Sequence, residues 1–173
     1  MIQEISPVTY RNLAQIFEYW AQKNPEHVAL QAPKRPSLTH AELVKQLSAL
    51  REKFHHLGLG QSARIAVLAP NGPELALACL FSAMYATCAP LNPAYQKDEL
   101  EFYLDDLDAS ALLIASTLES PAREVAHAKG IPVLELCSQT EQAEGYFSIA
   151  SRDVNHIIYD RFNSFRSLLI RFH

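Results

Sequence analysis

Apolar positions along the chain change period several times, and each change marks an element. Leu13, Ile16, Phe17 and Trp20 recur at helical spacing, which predicts a first amphipathic helix ending near Asn24 and Pro25 and lying on the surface of a sheet. His27 to Gln31 alternates into a short strand, and the segment APKRP that follows is a turn. Thr39 is placed to cap a helix, with Glu42 three residues on, and Leu43, Leu47, Leu50, Phe54 and Leu57 form its buried stripe up to Gly58.

The stretch from Arg64 to Tyr95 organises the rest. Ile65 to Ala69 is a short continuous apolar run, the pattern of a strand covered on both faces of a parallel sheet. Pro70 stops it, and Asn71 with Glu74 reads as the start of a helix that tolerates Pro73 in its first turn. Leu75 to Ala86 is apolar nearly all round, and Cys88 to Leu91 returns as a neighbouring strand. Leu75 to Gln96 holds no charge and is about as long as a bilayer crossing of roughly 20 residues. Pro90, Asn92 and Pro93 would break such a span, however, so a buried crossover helix is the better reading.

Lys97 to Asp108 is an acidic helix with Leu100, Tyr103, Leu104 and Leu107 on one face, Ala111 to Ala115 a buried strand, Leu118 to Lys129 a helix ended by Gly130, and Pro132 to Leu136 another strand. The alternation from 63 to 136 defines the expected class: α/β, a wound, mostly parallel sheet with helices on both faces.

Composition adds little beyond this. In 173 residues, 49% hydrophobic and 20% charged, one domain or part of a larger one is expected. A net charge of −4 without Lys/Arg runs argues against nucleic-acid binding. Residues 1–150 carry 11 basic and 17 acidic side chains, whereas 151–173 carry four Arg against Asp153 and Asp160, so the last segment is set apart. Cys79, Cys88 and Cys137 suggest neither a disulfide framework nor a zinc site and read as reduced, buried thiols. With no secretory pattern in MIQEISPVTY, a cytoplasmic protein is expected.

The candidate chemistry is thin. Gly58-Leu59-Gly60-Gln61-Ser62-Ala63 matches a dinucleotide-binding spacing but follows a helix and leads into a strand, the reverse of the order a phosphate turn requires. Asp98, Glu99, Glu101, Asp105, Asp106 and Asp108 read as a solvated helix face rather than a metal cluster. His55 and His56 cannot face one metal from the same side, and His27, His40 and His127 lack partners at ligand spacing.

Three pieces in order, Leu38-Thr39-His40-Ala41-Glu42-Leu43, APNGPE at 69–74 and PLNPAY at 90–95 followed by the acidic helix, resemble the N-terminal part of AMP-forming acyl-CoA synthetases, the adenylate-forming superfamily. The resemblance runs from about Leu13 to Leu136 and is nearest to ligases of the oxalate and coumarate type. It implies that residues 1–150 are an N-terminal segment of an AMP-binding domain. For the full-length family it implies ATP, Mg and CoA, a carboxylate attacking ATP to give an acyl-adenylate, and then a thioester. The family's phosphate loop, nucleotide contacts and catalytic lysine come later than the matched region, so no catalytic, cofactor-binding or metal residue is assigned to this chain.

Asp153-Val154-Asn155-His156-Ile157-Ile158-Tyr159 resembles the approach to that loop, but Asp160 to Phe165 follows and no glycine occurs after Gly145. Residues 151–173 therefore read as a divergent or frame-shifted tail. Ile158, Phe162, Phe165, Leu169 and Phe172 share a helical face that Arg161 interrupts, so membrane binding is not expected. The expected function is a truncated N-terminal piece of an acid–CoA ligase, inactive alone. The alternative is a non-catalytic α/β protein-binding module or one half of a split ligase. The expected partners are accordingly the missing C-terminal half or a second copy of the chain.

Overall fold

The computed structural model describes residues 12–33, 36–138 and 147–151, with the side chains of 138 and 147–151 outside the description. The elements are α1 (Leu13–Lys23), β1 (Val28–Leu30), β2 (Leu38–Thr39), α2 (His40–His56), β3 (Arg64–Leu68), α3 (Pro73–Tyr85), β4 (Thr87–Pro90), α4 (Lys97–Asp106), β5 (Ala111–Ala115), α5 (Ala122–Ala128), β6 (Val133–Ser138) and β7 (Phe147–Ser151). The main sheet runs β4-β3-β5-β6-β7, and the four strands anticipated from the apolar runs are mutually parallel.

Alternation along the strands feeds two cores. Ile65, Val67, Ala111 and Leu113 meet α2 and α3 on one face, while Ala66, Leu68, Leu112 and Ile114 meet α4 and α5 on the other. With both faces covered, the strands carry no polar side, which is why they read as unbroken apolar runs. Phe54 of α2 and Phe81 of α3 pack edge to face with ring centroids 4.6 Å apart.

The α2 boundaries follow from their caps. Glu42 N–H donates to Thr39 Oγ1 at 3.3 Å, and Thr39 N–H donates to Glu42 Oε2 at 2.8 Å. Beyond the C-terminal end, Gly58 has φ +72°, and a Cβ there would meet nothing within 4 Å. The backbone angle alone therefore requires glycine. Gly58→Ala should cost about 1 kcal/mol in chemical denaturation, whereas Gly60→Ala, equally open and without a left-handed φ, should be nearly silent.

Several expectations are corrected. The N-cap of α3 is Gly72, without a side-chain cap, and not Asn71; Pro73 takes the first helical position and moves the boundary one residue on. α1 lies over α2 and α3 rather than directly on the sheet, because those two helices already occupy that face; Phe17 reaches the edge of their core. α4 ends at Asp106, and Asp108 takes a left-handed turn with φ 44°. α5 begins at Ala122 and not Leu118, since Ser120 precedes Pro121 and is steered away from helical angles.

Two strands were not anticipated. β2 pairs antiparallel with β1, and β7 adds an antiparallel edge beside β6. At the other edge, Thr87 and Leu91 donate to Ala63 O and Val67 O of the β3 side, so Cys88 and Pro90, which alternate with the inward-facing residues, turn their backbone outward. Pro90 stands at an outward position and has no N–H, which blunts that edge against strand addition. Among the described residues no helix is long and apolar enough to cross a membrane, and α3 stops at Tyr85. The tail from 152 onward, with its helical stripe and the expected phosphate-loop approach, lies outside the described residues.

Candidate functional site

In a parallel α/β sheet ligands approach the carboxyl ends of the strands, so the loops after β3, β4 and β5 are where chemistry would be sought. After β3, Ala69 is buried, whereas Pro70, Asn71 and Gly72 are exposed and lead into α3. That helix start is a poor anion cradle. Pro73 removes one N–H donor, and Glu74 places a carboxylate in the first turn.

The loop after β4 is shaped by its own side chains. Ala94 N–H donates to Asn92 Oδ1 at 3.0 Å, and Gln96 N–H donates to Glu99 Oε2 at 2.9 Å, which starts α4. Tyr95 stacks on Tyr103 with centroids 4.8 Å apart, and their hydrogen bond raises the Tyr95 pKa.

Behind the loop after β5 stands a buried ion pair. Arg123 Nε donates to Glu135 Oε1 at 2.9 Å and Nη2 to Oε2 at 3.0 Å, a two-pronged contact. The remaining donors reach Ala115 O at 2.9 Å and Leu118 O at 2.5 Å. One guanidinium thus fastens the end of β5, the following turn and the middle of β6. Sequence reasoning missed this pair. Its available signal was the lone carboxylate in the apolar strand PVLELC, since a charge in a buried strand needs a partner.

The acidic face of α4 is used structurally. Lys97 Nζ lies 2.8 Å from Glu124 Oε1, and Lys129 Nζ lies 2.6 Å from Asp105 Oδ2, both bridging α4 to the α5 segment. Among the described residues no group of three or more His, Cys, Asp or Glu side chains could hold a metal ion. His27 and His40, far apart in sequence, do come together: their rings stack with centroids 6.3 Å apart, and the Trp20 ring also stacks with that of His40 at 6.3 Å. They form an aromatic stack at the α1–β1–α2 junction, with His40 Nδ1 buried and without a hydrogen-bond partner. The glycines at 58 and 60 sit between α2 and β3, in the order that excludes a phosphate turn.

All three cysteines are free and half-buried. Burial, together with the charge and hydrogen bond of Cys79, pushes the Cys88 thiol up to about 12, and burial also raises Cys79. A native thiol that keeps its proton above its ordinary value of 9.0 makes the unfolded state the one holding fewer protons at alkaline pH. Stability should therefore fall between pH about 9 and 12, and the slope should lessen in Cys88→Ala; parallel denaturation of both proteins across that range checks it.

Residues 17–157 match the AMP-binding enzyme family. The chain is 34% identical over 118 residues to an oxalate–CoA ligase of Arabidopsis thaliana, covering 66% of this chain and 23% of that protein. It is 30% identical over 149 residues to the AMB antimetabolite synthetase AmbB of Pseudomonas aeruginosa, covering 85% of this chain and 12% of that protein. Among solved structures, a long-chain-fatty-acid–CoA ligase, FadD1, of Archaeoglobus fulgidus superposes with a TM-score of 0.62 at 25% identity, over 73% of this chain and 27% of that one.

The fold and these matches place the chain among adenylate-forming enzymes. The chain belongs to the AMP-binding enzyme family, of whose matched members it spans roughly a quarter or less.

Proposed function

We propose that this chain is the N-terminal scaffold of an AMP-forming acid–CoA ligase and forms no acyl-adenylate by itself. The observation that carries the reading is the match over residues 17–157 joined to the sequence beyond it, where Asp160 to His173 contains no glycine. A loop that wraps polyphosphate with backbone N–H groups needs residues able to take left-handed angles and approach closely, and Phe and Arg do not substitute for them. The three strand-end loops supply no replacement. They hold a helix start carrying its own carboxylate, a turn closed on Asn92, and a turn fastened by Arg123. Identity to the oxalate–CoA ligase favours a small carboxylic acid and CoA over an amino acid as substrates of the complete enzyme.

The test is carboxylate-dependent exchange of pyrophosphate into ATP by the purified chain, with oxalate, coumarate and long-chain acids. Phosphate-transfer chemistry rests on positioning and charge neutralisation, and one lost electrostatic donor commonly costs about 10²-fold to 10³-fold. Several are lost together here, so exchange should stay at background. Exchange by the chain alone would overturn the proposal. Exchange restored only by a second polypeptide carrying the rest of the enzyme would identify the chain as one half of a split ligase.

A further inference from the structure

Cys79 and Cys88 are nine residues apart, on different elements, yet they share one interface. Cys79 lies on α3, three residues before the fully buried Ser82 and so on the same side of the helix. The chain leaves α3 at Tyr85, turns through Ala86 and returns as β4. There Cys88 pairs with Ile65 and, like Ile65, joins the core under α2 and α3. Both thiols pack against this same core across the α3–β4 contact, near enough for each to perturb the other's proton. Ser82 Oγ holds no hydrogen bond in the resting structure but stands close enough to Cys88 to favour a thiolate there.

We propose that Cys79 and Cys88 are a dithiol pair that closes to an intramolecular disulfide when the folded chain meets a small-molecule disulfide, stapling α3 to the edge strand β4. Cys79 acts first. Its thiolate attacks one sulfur of the small disulfide, and the displaced thiolate takes up a proton. Cys88 then loses its proton and attacks the Cys79 sulfur, expelling the second small thiol. The protein gives up two thiol protons and two electrons, and the small disulfide is reduced to two thiols. Burial, the largest influence against a Cys88 thiolate, persists after the first step, whereas the opposing charge of Cys79 is gone once Cys79 is in the mixed disulfide and the help from Ser82 stays.

The fold also sets the selectivity. Cys137 is on β6, three places from β4 in the sheet. At roughly 4.8 Å between neighbouring strands this is about 14 Å, beyond disulfide reach.

The experiment treats the folded chain with oxidised glutathione at pH about 9, near the ordinary thiol range, then quenches with acid, counts free thiols in denaturant and maps the linkage by peptide mass. The expected result is a fall from three thiols to one, with Cys137 remaining, and a Cys79–Cys88 peptide in monomeric protein. Cys88→Ser should stop at a single glutathione adduct on Cys79, and Ser82→Ala should accumulate that adduct in the otherwise native chain. Three thiols surviving the treatment, a bridge that includes Cys137, or a bridge between two chains would overturn the proposal. The wild-type thiol count decides this whether or not a variant folds.

Discussion

Replacing Arg123 by alanine is expected to cost about 3–5 kcal/mol of folding stability, the usual consequence of removing one partner from a buried ion pair. The side chains of Arg123 and Glu135 are only 16% and 5% exposed, so the carboxylate left behind would lose a two-pronged cationic partner at a place that water scarcely reaches. Ala115 O and Leu118 O would lose their donors at the same time, loosening the turn that joins β5 to α5. A domain's whole stability is about 5–15 kcal/mol, so this one substitution removes a third or more of a typical total. Urea unfolding followed by far-ultraviolet circular dichroism should show a midpoint lowered by about 1 M or more. The double variant Arg123→Met with Glu135→Leu should recover most of the loss, because an apolar pair of similar volume carries no desolvation cost. A single-variant shift under about 1 kcal/mol would mean that Glu135 reaches solvent and that the pair behaves as a surface contact.

That pair also marks where reading the chain by eye stops working. Strands β3 and β5 were legible because both faces are covered and apolar residues run without interruption, and β6 because Glu135 alone breaks its run. The start of α2 was legible because Thr39 and Glu42 must lie three apart to satisfy each other. These are local rules. The features that escaped are non-local or differ by one residue. Arg123 and Glu135 lie 12 apart on a helix and a strand, and no periodicity links them. The stripe of α1 declared that one face packs inward but not that α2 and α3, rather than the sheet, would meet it, nor that Leu13 and Trp20 would stay exposed. β7 joins the sheet by antiparallel pairing to β6, and the short segment FSIAS has no unbroken apolar run to announce it. Asn71 and Gly72 both suit a helix start, and only the placement of Pro73 decides between them. The cysteine pair became visible only once α3 was seen to stop at Tyr85 and the chain to reverse. Of the candidate site, the family resemblance implied a phosphate loop after Tyr159, and the glycine-free residues there argued against one; the strand-end loops that replace it as the place to look come from the topology.

The second large effect is expected at Phe81, where alanine should destabilise the chain by about 3–5 kcal/mol. Phe81 is fully buried and touches two aromatic rings, Phe54 at 4.6 Å with planes 81° apart and Tyr85 at 5.2 Å. It therefore joins α3 to α2 over the core-facing side of the sheet, alongside Leu47, Leu50 and Leu77. Most of the loss is transfer and cavity energy, because rigid neighbours on α2 and the sheet can collapse only partly into the space of a phenyl ring. A smaller share, about 0.5–1.5 kcal/mol, belongs to the edge-to-face geometry itself. A double-mutant cycle separates the two: Phe54→Leu, Phe81→Leu and the double variant keep most of the apolar volume while removing the ring pair, so their non-additivity reads the aromatic term. Coupling near zero would show that the rings act as filler. Coupling in the stated range would show that the ring geometry itself, beyond the volume it fills, helps hold α3 against α2.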